Sequence, residues 1–94
     1  MNIEEIAAKL QTGLEKNPLT DSIKFDCGDA GKISIVDGKV ELADLTTDCT
    51  IGISVDNLDR LLCGKLNPMT AFAMGKIKVS GDMSVAMKLG QMLK

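Results

Sequence analysis

Three cysteines are the strongest nucleophiles this chain could offer, and nothing in the sequence activates them. Cys27, Cys49 and Cys63 stand 22 and 14 residues apart with no CxxC pair, and histidine is absent altogether. A thiol attacks as the thiolate, which needs a nearby base or cationic site to form at neutral pH. Without histidine the chain also lacks the usual proton shuttle near pH 7 and the commonest transition-metal ligand. All three cysteines are therefore expected to be buried structural thiols. Cys27 and Cys49 fall in the inward register of strands, and Cys63 closes an apolar helix.

Phosphate chemistry fails a similar test. Gly31-Lys32, Gly64-Lys65 and Gly75-Lys76 each pair a glycine with a lysine. None has the glycine five positions upstream or the Ser/Thr after the lysine that a phosphate loop requires. No GxGxxG, GxSxG or calcium-loop spacing occurs, so no catalytic residue, metal or cofactor is assigned, and the chain is read as a non-enzyme. The informative side chains are the methionines. Met69, Met74, Met83, Met87 and Met92 crowd the last 26 residues of the 94. Methionine either fills gaps in a core or forms an adaptable apolar wall, and spacing alone leaves both open.

Ninety-four residues make one domain, taken as 1–94, with one core and little stability to spare. Lys and Arg number 11 against 13 Asp and Glu, a net charge of −2, and the only aromatics are Phe25 and Phe72. That composition excludes a dedicated nucleic-acid binder, which concentrates basic and stacking residues. The charge is uneven, however. Residues 60–94 carry six basic side chains against Asp82 alone, a local balance of +5. No basic-then-apolar leader and no apolar run near ~18 residues appears. With its unpaired cysteines the chain is expected to be soluble, intracellular and cytoplasmic.

The elements that must position these residues follow from periodicity. Asn2 with Glu5 suggests a capping box before a helix bearing Ile3, Ile6, Ala7, Leu10 and Leu14 on one face, stopped at Asn17-Pro18. Ile23-Phe25-Cys27, Ile33-Ile35, Val40-Leu42 and Cys49-Ile51-Ile53-Val55 then alternate with polar residues as four strands of a meander. Asp37-Gly38 is a two-residue hairpin turn within it. Asp56 is expected to cap a helix with Leu58, Leu61 and Leu62, and Asn67-Pro68 to open a short one with Met69, Phe72 and Ala73 as its apolar face. A fifth strand runs from Lys76 to Ser80. Gly81-Asp82 then begins a last helix from about Met83 to Leu93.

That last helix has more apolar surface than a sheet can cover. Met83, Ala86, Met87 and Gly90 form one stripe, and Val85, Leu89, Met92 and Leu93 a neighbouring one. A helix apolar over so much of its girth needs contacts on more than one side.

Residues 67–93, NPMTAFAMGKIKVSGDMSVAMKLGQML, resemble the C-terminal part of the sterol carrier protein type 2 domain family. The matching elements are Asn67-Pro68, Ala71-Phe72, Gly75-Lys76 and Gly81-Asp82, followed by an apolar helix with Met87, Lys88 and Leu89. The upstream order of helix, strands and Leu-rich helix is similar too, so the resemblance covers almost the whole chain. It implies an α+β fold: an about five-stranded, mostly antiparallel twisted sheet with helices packed on one face. Between the layers it implies an apolar tunnel for a fatty acyl chain, acyl-CoA, phospholipid, isoprenoid or sterol.

The resemblance makes bound lipid the second contact of the terminal helix. The expected wall is Ile35, Ile51, Ile53, Leu58, Leu62, Met69, Phe72, Met83, Met87 and Met92, acting by desolvating the ligand. Lys76, Lys78 and Lys88 are expected to touch headgroups during transient membrane contact. The alternative is an interaction module whose Met/Leu surface covers a protein partner, such as a lipid-metabolic enzyme.

Overall fold

The computed structural model describes residues 2–16 and 20–92, the last three of these by backbone alone. Helix α1 spans Ile3–Lys16, and Asn2 Oδ1 accepts from Glu5 N–H at 2.9 Å as its cap. Its buried residues Ile6, Leu10 and Leu14 recur every four positions, so they form one stripe. The stop expected at Asn17-Pro18 lies outside the described residues.

Strands β1 (Ile23–Asp26) and β2 (Lys32–Val36) pair antiparallel across the short 3-10 turn Gly28–Ala30. β2 turns at Asp37-Gly38 into β3 (Lys39–Glu41). Both turn residues have positive φ, 54° and 75°, as a type I′ hairpin demands.

The meander ends there. β4 (Cys49–Gly52) does not pair with β3; it lies parallel to β1 in the register Ile23↔Cys49 to Asp26↔Gly52. β5 (Lys78–Gly81) then pairs antiparallel with β4, giving the order β3-β2-β1-β4-β5 and a mixed sheet. The physical reason is the crossing at 42–48, which returns over the polar face of the sheet. Ser34 Oγ donates to Ala43 C=O and accepts from Leu45 N–H, and Lys24 pairs with Asp44. This crossing explains why Ser34, a polar residue in an alternating strand, is fully buried.

Helix α2 spans Val55–Leu62, α3 spans Pro68–Ala73 and α4 spans Met83–Met92. Two expectations at their starts need correcting. Ser54, not Asp56, caps α2 by accepting from Asn57 N–H at 3.2 Å. Val55 accordingly opens that helix rather than ending a strand, because Ser54 has extended dihedrals and its hydroxyl meets the third N–H after it. Asn67-Pro68 opens α3 as expected: Asn67 is its cap, with Pro68 in the first turn where a missing N–H costs nothing.

The core lies between the helices and one face of the sheet. Phe25, Ile33 and Ile51 form a row across β1, β2 and β4, and Val79 extends it on β5. Phe25 and Ile33 are fully buried, whereas Val79 is only partly so. The layer is thus sealed under α1 and α2 and loosens towards the β5 edge.

Candidate functional site

The loosening is a cavity of about 600 Å³ between the sheet, α3 and α4. Its floor is Ile51 on β4 with Ile77 and Val79 at the β5 edge. One wall is α4, whose Val85 and Leu89 anchor it in the core while Met83, Ala86 and Met87 turn towards the space. The other wall is α3 with Leu61 of α2 behind it. α3 buries only Ala71, while Met69 and Phe72, expected on its apolar face and in the ligand wall, line the groove and stay exposed.

Among the described lining residues none is charged, and Asn67 and Thr70 are the polar ones. Met69, Met83, Met87 and Phe72 are 69, 47, 61 and 47% exposed while lining the same space, so the groove opens to solvent between α3 and α4. Such a site can desolvate an aliphatic chain.

Comparison with known proteins agrees with this geometry. The model of the SCP-2 sterol transfer family matches residues 3–94. The chain belongs to that family. Sterol carrier protein 2 of Gallus gallus is 41% identical over 76 residues, covering 72% of this chain but 14% of that protein. The bovine sterol carrier protein 2 is 49% identical over 47 residues, half of this chain and 9% of its own length, so the curated relatives are far longer chains. Among solved structures, the sterol carrier protein domain 2 of Helicoverpa armigera superposes with a TM-score of 0.75 at 30% identity, covering 95% of this chain and 83% of that one. Sterol carrier protein 2 of Aedes aegypti, solved in complex with the C16 fatty acid palmitate, shares the fold at a TM-score of 0.79 and 21% identity over 96% of this chain and 92% of that one.

Of the ten wall residues expected from sequence, the fold brings Ile51, Met69, Phe72, Met83 and Met87 around the groove. Ile35 and Leu58 are instead fully buried in the core, and Leu62 is partly covered away from the groove. Ile53, just past β4, borders a shallower depression with Lys76 and Lys78. Met92 lies in α4, its side chain outside the described residues. Ile77, Val79, Leu61, Ala86 and Leu89 line the groove as well, outside that expected set. Ile77 and Val79 were legible in principle, since their alternation with Lys76 and Lys78 puts them on the inner face of the fifth strand.

The lysines divide. Lys88 on α4 donates to Asp21 Oδ2 at 2.9 Å, which raises its pKa and ties it down. Lys76 and Lys78 are exposed and lie outside the ion pairs found among the described residues.

The cysteines divide as well. Cys27 and Cys49 are buried, and burial pushes both thiols up, helped by the neighbouring Asp26 and Asp82 charges respectively. Cys63 is exposed, contrary to expectation. α2 ends at Leu62, so Cys63 sits in the following turn, facing outwards with Lys9 Nζ 3.6 Å from its sulfur. No group of three or more potential metal ligands occurs among the described residues, and none of their helices is long and apolar enough to cross a membrane.

Proposed function

We propose that residues 1–94 form one lipid-binding unit that shelters the apolar part of a lipid in the α3–α4 groove and carries or presents it without making or breaking a bond. The observation that carries this reading is the uncharged groove of about 600 Å³ whose walls are exposed methionines and Phe72. That volume lies within the ~300–1,000 Å³ typical of small-molecule sites. Water in such a groove gains few hydrogen bonds, and each buried methylene of a guest contributes about 0.8 kcal/mol. The palmitate complex of the Aedes aegypti relative makes a fatty acyl chain the first ligand to try.

The test fills the groove from its wall. Ala86 lines it from α4 and is only partly buried. Ala86→Phe is expected to lower affinity for a fluorescent acyl chain at least ~10-fold, by occupying space the ligand needs, while leaving the melting temperature unchanged or higher. Unaltered acyl affinity in a folded Ala86→Phe protein would place the ligand elsewhere. The second reading, an accessory surface for a lipid-metabolic enzyme, rests on the same exposed methionines. It predicts a stable hetero-complex, with no lipid adduct, in native mass spectrometry.

A further inference from the structure

The sheet has two edges, and they are finished differently. At β3 the edge is closed by α1: Val40 N–H donates to Gln11 Oε1 at 3.1 Å, and Gly38 C=O accepts from Gln11 Nε2 at 3.5 Å. One side-chain amide takes the place of a neighbouring strand. β5 pairs with β4 on one side and has no strand on the other. Asp82 N–H donates to Asp48 C=O at 2.9 Å, one step beyond the paired residues. Ser80 and Lys78 therefore turn their backbone groups towards Thr50 and Gly52, and those of Val79 and Gly81 point off the edge. Lys78, Ser80 and Gly81 are exposed and Val79 is half-buried, so none of the described elements covers that edge.

Lysine on an open edge ordinarily keeps other strands away. Here the charges are arranged to accept one strand, that of a second copy. Antiparallel self-pairing must set outward residues against outward residues, which confines the register to a few steps. Centred on Lys78, it opposes the two Lys78 side chains. Centred on Ser80, it sets Val79 against Gly81, which has no side chain to pack. Centred on Val79, it sets Val79 against Val79, Lys78 against Ser80 and Lys76 against Asp82 of the second copy, twice over by symmetry. Lys76 and Lys78 share a shallow depression with Asp26 yet form no ion pair among the described residues. Asp82 spends one carboxylate oxygen on Ser84 and keeps the other.

We propose that β5 pairs antiparallel with β5 of a second copy, giving a two-fold dimer whose sheet runs through both chains. The two Val79 residues exchange backbone hydrogen bonds at the centre, and the Lys76–Asp82 pairs close both ends. This register preserves the alternation of the pleat, so Ile77 and Val79 of both copies lie on the groove side. Each groove gains apolar floor from the other copy at the edge where its own packing loosens. The pairing stands on the edge alone, while the shared floor rests on the lipid-binding reading. An extended peptide could meet the same backbone groups, but it would leave the self-complementary charges unused.

Sedimentation equilibrium over a range of concentrations reads the association. The wild type is expected to rise from its 10.0 kDa monomer towards twice that mass. Lys76→Glu should weaken the dimer at least ~10-fold, since two attractions become two repulsions. Asp82→Lys should do the same. Mixed in equal amounts, the two variants should recover the dimer, because opposite charges then meet at both ends. Lys39→Glu, on the edge that Gln11 closes, should change nothing. Amide hydrogen exchange reads the edge itself: Val79 N–H should slow as concentration rises, and Val40 N–H should be protected at every concentration.

A monomer at all concentrations overturns the proposal, as does a dimer indifferent to Lys76→Glu, a dimer weakened by Lys39→Glu, or a Val79 N–H that exchanges equally fast throughout. If Asp82→Lys fails to fold, because that residue also caps α4, Lys76→Glu and the amide exchange still decide. Affinity for a fluorescent acyl chain is measured separately. A wild type that dimerises yet takes up no acyl chain defeats the groove reading and leaves the strand pairing standing.

Discussion

Helices α1 and α4 both lay apolar residues four apart against the same face of the sheet: Ile6, Leu10 and Leu14 in one, Val85 and Leu89 in the other. Beyond that stripe they differ. The rest of α1 is Glu4, Glu5, Lys9, Glu15 and other residues at ease in water, so its packing is complete. α4 carries a second stripe, Met83 and Met87, that the sheet does not reach and that stays 47 and 61% exposed. The first stripe on each helix is a fold requirement. The second, present only on α4, has no structural work to do among the described residues, and it faces the exposed Met69 and Phe72 of α3 across an uncharged space. Apolar surface beyond what packing uses therefore marks the site more sharply than apolar surface as such.

The comparison makes its largest demand on stability. Phe25 sits fully buried under the sealed end. Phe25→Ala is expected to cost about 3–5 kcal/mol, a large share of the ~5–15 kcal/mol a small domain has. Met83→Ala/Met87→Ala, at the open end, should cost about 1 kcal/mol or less, because water already touches those side chains. The order reverses for ligand affinity, where the methionine pair should matter most. Urea denaturation alongside acyl binding measures both. A methionine double variant as unstable as Phe25→Ala would mean that the open end is core after all.

A smaller effect links the two regions through Gly81, the last residue of β5 before α4. Its φ is +88°, and a Cβ there would stand 2.4 Å from the Asp48 carbonyl oxygen and 3.3 Å from Cys49 Cα, backbone atoms at the end of the crossing and the start of β4. Gly81→Ala must shift β5 or the start of α4, at about 1–3 kcal/mol. Acyl affinity should fall with it, because that shift moves the wall bearing Met83 and Met87. Gly38→Ala is the control, at φ +75° with open space around it. It should cost about 1–2 kcal/mol through backbone strain alone and leave acyl affinity untouched. Equal effects of the two glycines on affinity would disconnect the β5–α4 junction from the groove.

Much of this was legible in the sequence because it is local. Period and turn chemistry yielded five strands, four helices, the Asp37-Gly38 hairpin and the helix start at Asn67-Pro68. The two-stripe character of the terminal helix was visible too, and it is the property that singles out the groove. What escaped was non-local. Nothing in the residues 42–48 announces that they cross the polar face and place β4 beside β1, since a meander and a crossover share the same alternation. The wall residues failed for the same reason. Ile35 and Ile51 have identical patterns, but Ile35 lies two strands from the groove, beyond β1. On α2, Leu61 rather than Leu58 or Leu62 lines the space, a difference of helix rotation that three closely spaced leucines cannot specify. Cys63 was misplaced because one residue past a helix end the 3.6-residue period no longer applies.

The smallest effect concerns how the open wall is pinned at its start, where Asp82 follows Gly81. One carboxylate oxygen of Asp82 accepts from Ser84 N–H at 2.9 Å and from Ser84 Oγ–H at 2.6 Å, closing the first turn of α4. These bonds, the hydroxyl's foremost, hold its carboxyl below the ordinary value of 3.8, with the Lys88 charge assisting. A depressed carboxyl pKa means the folded protein binds the proton less readily than the unfolded chain. The stabilisation is therefore fully present above the unfolded value and is lost as pH falls through the lower, folded one. Asp82→Asn keeps an oxygen that can cap the turn but cannot titrate, whereas Asp82→Ala keeps neither. At neutral pH the melting temperatures should fall in the order wild type, Asn, Ala. Below pH 4 the gap between wild type and Asn should close, while Ala stays lowest. α1 offers the contrast: its cap Asn2 is already an amide, so Asn2→Ala should lower the melting temperature by the same amount at either pH. A wild-type-to-Asn gap that persists unchanged in acid would show that the Asp82 charge does not hold the groove wall, leaving its geometry alone to do so.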